Sequence, residues 1–542
     1  MRPSTLKWCA AVVVLVTTAC GSAAEKPPAA GDSSEPRAAE PVRLDATVEV
    51  HATEVLVDGF LGVGVEWSAY PWWDVSDEDW QKIFRRLEFM RLPLTRVMLD
   101  AFWYCQGFDA QGEPIYTWDT AFMEKLYRLL DWCQRNNAVV MIGEWGRPNG
   151  RDLDLATDDP RWTRIIADFV EHMIHRKGYT CLKYYNIINE PHGSWTGVTW
   201  NEWYAAITGL QREFKRRGLL DKITIAAPDG DRSFTTRCLR YEALRELTGI
   251  YDEHWYLLAL EVERGLPELY TREQLRQIHR RDPGKRLILG EVGLADGKTE
   301  KDQQPNVYKF WYGVSMADAA IQMIRGGMSG FIAWYLDDSM HFLGDGGESM
   351  NALSDERPAT AYERRKVWGF WSILGAEHGM PEDENMRPWF FPWAVLSRTF
   401  PPGCQTLETD ATGIPDLRVA AARIPARDGF HLSFAVVNNS PWRRHLKIRV
   451  PRAAGRATLG VYEYFDADGD DVVDSWPRVV DEEGRDIFPQ SSRTLQDVDL
   501  KGGVAVSLPS KGVLILTTLE HGDPVPLDSG VKSQKRSPNS GT

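Results

Sequence analysis

Two glutamates in this chain of 542 residues stand where a carboxylate could do chemistry. Glu190 closes the run YYNIINEP, in which a short β-branched and aromatic stretch reads as a buried strand. Pro191, which has no backbone donor, ends that strand. Glu291 stands in the same position in RLILGEVGLAD. Each strand would deliver its carboxylate to the rim of a sheet. A pair of carboxyl groups at the tips of two parallel strands suits cleavage of a glycosidic bond. One protonates the leaving oxygen and the other attacks the anomeric carbon.

The elements that would position this pair are legible as a pattern. Eight apolar runs lie between about residues 60 and 340: FLGVGVEW, LTRVMLDAFW, AVVMIGEWG, YYNIINEP, ITIAAPDG, GIYDEHWY, RLILGEVG and GFIAWYLDD. Amphipathic stretches such as DEDWQKIFRRLEFM and NEWYAAITGLQREFKRRG separate them. The alternation predicts a (β/α)8 TIM barrel within residues 43–400. A doubly wound sheet would have fewer strands and a glycine-rich phosphate loop, and neither GxGxxG nor GxxxxGK[ST] occurs. After residue 400 short alternating runs separated by turn residues, such as GFHLSFAVVNN and HLKIRVP, predict an antiparallel β-sandwich over 401–520. The strand-like segment VRLDATVEVHATEVLVDG ahead of the barrel either joins the sandwich or plugs the barrel base. Residues 521–542 read as a polar, disordered tail.

In a barrel the active site lies where the strands end, so the end of each run gives candidates. In order these are Glu66 and Trp67, Arg96, Glu144 and Trp145, Asn189 and Glu190, Asp229 and Asp231, His254 and Tyr256, Glu291, and Trp334. The set resembles glycoside hydrolase clan A, in particular family 5 and its cellulase-like relatives, several of which also carry a trailing sandwich. The resemblance implies an acid/base at Glu190 after Asn189 on strand four and a nucleophile at Glu291 on strand seven. It also implies substrate contacts at Arg96, at His254 and Tyr256 of a His-x-Tyr motif, and at Trp334. Family 5 members commonly carry a His on the third strand, where this chain has GEWG, so the sugar stays open.

Physical chemistry leads to the same roles. A cation at Arg96 and the Tyr256 hydroxyl would favour the ionised form of Glu291. Glu190, with fewer donors and a negative neighbour, would have a raised pKa and keep its proton. Asn189 would bond the 2-hydroxyl, and Trp67, Trp145 and Glu66 would complete the sugar contacts. Taken singly, Arg96 could be a strand-end salt bridge and His254 or Trp334 a core residue; their shared position at strand ends in this order is the argument. Glu144, Asp229 and Asp231 could as well cap helices or pair with arginines.

The expected protein is a retaining glycosidase acting on a carbohydrate, with no cofactor. The alternatives are a non-catalytic glycan-binding surface lipoprotein and a transglycosylase using the same residues. A formal net charge of −14 excludes a nucleic-acid partner, which would need a basic face. The 22 tryptophans supply both core and flat platforms for sugar rings. The five cysteines beyond Cys20 form no CxxC, and no HxH occurs, so no metal site is expected. The acidic run DADGDDVVD, 466–474, reads as a polar hairpin turn, since its Gly is misplaced for a calcium loop. The long segment after strand eight, HFLGDGGESMNALSDERPATAYERRK, would flank the catalytic face.

Residues 1–20 read as an export signal: Arg2 and Lys7, a short apolar segment, then Cys20 before Gly21 and Ser22. Small residues around this Cys resemble a bacterial lipobox, and 21–42, rich in Ala, Pro, Ser and Glu, would tether the folded part. The rival is an ordinary secreted protein cleaved near Ala23 or Ala24. Cys20→Ala should release the protein from the membrane fraction without impairing the barrel. A mature chain beginning at Glu25 by intact mass would contradict the lipid anchor.

Overall fold

The computed structural model describes residues 43–146, 153–193, 196–300, 302–341 and 366–528. The eight apolar runs are the eight strands of a closed parallel barrel. In barrel order they are Val63–Glu66, Leu94–Leu99, Val139–Glu144, Leu182–Asn186, Thr224–Gly230, Thr248–Leu257, Leu287–Leu294 and Phe331–Ala333. Below we call them strands one to eight. Leu94, Met141, Ala226, Ile250, Ile288 and Ile332 fill the barrel's interior, one from each of six strands. This apolar floor leaves the next inward-facing layer to polar residues, which is where the candidate site lies.

The helices between the strands are started by side chains the sequence supplies. Ser76, Thr120, Asp159, Thr199 and Asp231 each accept a hydrogen bond from the first turn of the helix that follows, satisfying a donor that would otherwise be orphaned. One helix, Phe310–Gly326, departs from the amphipathic pattern: nearly all of it is buried. It lies between the barrel and the second layer of strands. Its Asp318 accepts both Arg418 Nη1 contacts, at 2.7 and 2.9 Å, and a bond from Asn439 Nδ2 at 2.9 Å. Among the described residues no helix is long and apolar enough to cross a membrane.

The second domain is a nine-stranded sheet folded over its own core, with eight strands from residues 405–517 and one from far upstream. That strand, Ala46–Asp58, was within the predicted barrel segment and is not part of the barrel. It runs antiparallel to Gln405–Thr409 and, at its start, parallel to Arg444–Arg449. Irregular register after His51 lets one strand serve both layers. Val48 and Val50 thereby pack with Leu432, Phe434, Leu446 and Ile448 in the sandwich core. Sequence periodicity could not decide this, because alternation shows which face is buried and not which partner covers it.

One further expectation needs correction. The disordered tail was placed from 521, but 521–528 lie on the sandwich, with buried Val525 bridging Phe430 and Leu527 bridging Ala453. The acidic run 466–474 is a turn, as its pattern predicts, closed by a side chain: the Asp466 carboxylate accepts bonds from the amides of Gly469 and Asp471. Asp471 in turn holds Lys309 and the amide of Phe310, pinning the turn to the start of the buried helix. The segment after strand eight lies, over 342–365, outside the described residues, as do Cys20 and the 21–42 linker.

Candidate active site

The site is built around Arg96, whose guanidinium is fully buried in the barrel mouth. Nη1 donates to Glu291 Oε1 at 2.8 Å, and Nη2 donates to Asn189 Oδ1 at 2.6 Å and to Asp229 Oδ2 at 2.9 Å. One side chain from strand two thus reaches residues that follow or end strands four, five and seven. With its Oδ1 on the arginine, Asn189 keeps its Nδ2 donors for another partner. Tyr256 donates to the other Glu291 oxygen at 2.6 Å.

Glu291 reaches this position because strand seven carries one extra residue. Leu289 pairs with Glu253 but Glu291 pairs with His254, so Gly290 has no counterpart on strand six. Such a bulge re-aims the side chain that follows it. Only glycine fits there: a Cβ at Gly290 would lie 2.5 Å from Asp252 Oδ1. Glu190 and Asp229 are placed by backbone as well. Both have left-handed φ, 45° and 60°, and the amide of Glu190 donates to the carbonyl of Asp229 at 3.0 Å.

His254 sits among the carboxylates. Its Nδ1 is 2.9 Å from Glu190 Oε1 and 3.5 Å from Glu291 Oε2, and its Nε2 is 2.9 Å from Asp229 Oδ1. The sequence makes His254 a candidate sugar contact; in the structure both its ring nitrogens are engaged by carboxylates and the ring is buried. Oxygens of Glu190 and Glu291 and a nitrogen of His254 lie within 4.8 Å of one another. Asp229, Asp252 and His254 converge as closely. These groups could ligate a cation, but Arg96 and His254 already bring positive charge to the cluster.

The protonation pattern reverses the expected order. Burial alone would raise Glu190, but the hydrogen bond and charge of His254 outweigh it and hold the carboxyl at about 2. Burial lifts Glu291 above the usual carboxylate range, against the charges of His254 and Arg96. Burial alone would lower His254; the charges of Glu291 and Asp229 instead raise it well above the ordinary imidazole value. These directions favour a protonated His254 facing an ionised Glu190 across their bond. Asp252 is lifted well above its usual range, first by burial and then by the charge of Asp229, and accepts a bond from Asn186 Nδ2 at 3.0 Å.

The other candidates divide. Trp334 and Trp145 meet edge to face at 6.0 Å, and His341 stacks on Trp334 at 5.3 Å. His341 Nε2 lies 3.2 Å from Oε2 of the buried Glu66, whose Oε1 has no hydrogen-bond partner among the described residues. Glu66, Trp145 and Trp334 thus gather on the flank of strands one, three and eight. Trp67 does not join them: it is wholly buried against Trp80, Phe84 and Trp132 of the helical layer. Alternation along strand one explains this, since the neighbour of an inward Glu66 must point outward. Glu144 likewise turns outward, accepting bonds from Tyr104 and Tyr185. Asp231 caps its helix. Sequence reasoning undervalued Asp229 and missed Asp252, Asn186 and His341. Strand-end position flagged Asp229, whereas nothing local distinguishes Asp252 or Asn186, which act through contacts between strands.

No family model and no curated protein matches the sequence. Solved structures do match. A GH51 α-L-arabinofuranosidase from Thermotoga petrophila RKU-1 superposes with a TM-score of 0.60 at 14% identity, covering 87% of this chain and 99% of that one. A GH30 xylanase C catalytic domain from Talaromyces cellulolyticus gives 0.58 at 14% identity over the same shares. A GH30 endoxylanase from Clostridium papyrosolvens C71 gives 0.56 at 12% identity, over 87% of this chain and 100% of that one. The chain has the fold of these glycoside hydrolases. The coverage extends through both barrel and sandwich, so the pairing of the two domains is shared as well as the barrel.

Carboxylate 13C shifts followed against pH test the role given to His254. Glu190 should titrate near 2 in the native protein. In His254→Asn the bond and charge that outweigh burial are lost, leaving only the smaller effect of His192 against it, and Glu190 should titrate well above its native value. An unchanged Glu190 titration in the variant would contradict the assignment.

Proposed function

We propose that the protein is a retaining glycoside hydrolase that cleaves β-glycosidic bonds in an oligo- or polysaccharide, with Glu190 as acid/base and Glu291 as nucleophile. The observation that carries this is the close approach of the two carboxylates, whose oxygens lie within 4.8 Å. Double displacement uses carboxyl groups about 5–5.5 Å apart, whereas inversion needs about 6.5–9.5 Å to admit water. The shared fold with GH30 and GH51 enzymes supports the reading.

The chemistry follows from the contacts. A sugar seated between Asn189 and the Trp334 flank would present its anomeric carbon to Glu291, whose oxygens Arg96 and Tyr256 hold in place. As the bond to the leaving oxygen breaks, the proton shared by His254 and Glu190 moves to that oxygen. Esterification removes the charge of Glu291, but Arg96 keeps Asp229 and is never left as an unpaired buried cation. Water then attacks the glycosyl-enzyme while Glu190 takes its proton and His254 returns to its starting state. The Asn189 Nδ2 donor meets the 2-hydroxyl, a contact that strengthens as positive charge develops on the ring. A purely glycan-binding role gives no reason to bury two carboxylates side by side, since binding alone gains nothing from their repulsion.

Separate removal of the two glutamates tests the roles. On a dinitrophenyl β-glycoside, whose leaving group needs no proton, Glu190→Ala should show a burst followed by a low steady state, and azide should accelerate it to a β-glycosyl azide. Glu291→Ala with azide should give the α-azide. Normal turnover in both variants, or inverted product from the native enzyme, would contradict the proposal.

A further inference from the structure

We propose that the cleft between the helices after strands five and six, Arg232–Cys238 and Leu266–Arg281, is the subsite for the leaving sugar, and that it takes a neutral, hydroxyl-rich ring. The proposal rests on the glycosidase reading above and deepens it.

Geometry fixes which flank the leaving group occupies. The group that protonates the leaving oxygen must lie beside it, and Glu190 leans toward strands five and six, bonded to His254 and to the backbone of Asp229. The opposite flank carries Trp145, Trp334 and His341 packed together beside Glu66. From His254 and Tyr256 a cleft of about 770 Å³ opens outward on Glu190's side. That is within the range of about 300–1,000 Å³ common to ligand sites.

Its lining suits a sugar. The Arg232 guanidinium lies 3.9 Å from the centre of the Tyr270 ring and 5.5 Å from that of Trp255. Among the described residues it makes no hydrogen bond and no ion pair. Held flat on an aromatic ring, a guanidinium keeps its in-plane N–H donors for a ligand. Glu273 and Gln277, joined by a bond from Gln277 Nε2 to Glu273 Oε1 at 3.1 Å, add polar groups with lone pairs and a second N–H to spare, and Leu269, 58% exposed on the lip, offers an apolar contact for ring C–H groups. Interleaved donors and acceptors match hydroxyls, each of which both donates and accepts. Charge disfavours an acidic sugar: Asp231, Glu261 and Glu273 line the same cleft against Arg232 and His254, and the charge of His254 is already held by Glu190, Asp229 and Glu291.

The test compares two substrates sharing one glycone: a p-nitrophenyl glycoside that the native enzyme turns over and the corresponding neutral trisaccharide. On the trisaccharide, Arg232→Ala should lower kcat/KM by about 10- to 100-fold, the scale of a lost hydrogen bond to a charged group, and Gln277→Ala by about 2- to 10-fold, the scale of a neutral one. On the aryl glycoside, which does not fill the cleft, both variants should match the native enzyme. Equal losses on the two substrates would assign the residues to the fold, and no loss on the trisaccharide would remove the subsite; either overturns the proposal. A native preference for a trisaccharide with a uronic acid as leaving sugar, abolished in Arg232→Ala, would overturn the neutral assignment. A native enzyme inactive on every glycoside would overturn the glycosidase reading itself, a result distinct from these.

Discussion

A guanidinium with no solvent contact must be neutralised where it sits, because a buried unpaired ion costs several kcal/mol. Arg96 is that ion, and its position dictates the rest of the barrel mouth. Asp229 and Glu291 supply the counter-charges and Asn189 a carbonyl, so strands four, five and seven are tied to one side chain of strand two. The arrangement would gather more negative charge than one cation can hold once Glu190 is added. His254, bonded to Glu190 and Asp229 and close to Glu291, is the second cation. Glu190 and Glu291 can then sit close together without either carboxylate being expelled.

This cluster survives only because the backbone around it is held. The bulge at Gly290 and the left-handed conformations of Glu190 and Asp229 are local choices that surrounding packing must enforce. The apolar floor of six inward side chains supports them from below. From outside, the buried helix Phe310–Gly326 ties the barrel to the sandwich through Asp318, Arg418 and Asn439. The sandwich is thus a buttress to the barrel, closed by a strand contributed from before it.

What the sequence revealed and what it hid follow one rule. Features set by local order were legible: eight apolar runs became eight strands, and Arg96, Asn189, Glu190, Tyr256 and Glu291 came together as expected. Features set by contacts across the barrel were not. Trp67 has the residue type of a sugar platform, yet the parity of strand one sends it into the helical layer. His254 has the type of a sugar ligand, yet three carboxylates converge on it, and this reverses the acidity expected of Glu190. The strand Ala46–Asp58 shows the same limit at the level of domains, since its pattern is compatible with either core.

The proposed mechanism turns on Glu291, held by Arg96 and Tyr256, as the group that attacks sugar. Inactivation with a 2-deoxy-2-fluoro glycoside bearing a dinitrophenolate leaving group, followed by peptide mass analysis, tests it most directly, because the fluorine slows release of the glycosyl-enzyme. The account predicts one fluorosugar per chain, attached to the peptide containing Glu291 and absent from Glu291→Ala. A label on Glu190, or a substrate turned over with no covalent intermediate, would contradict it.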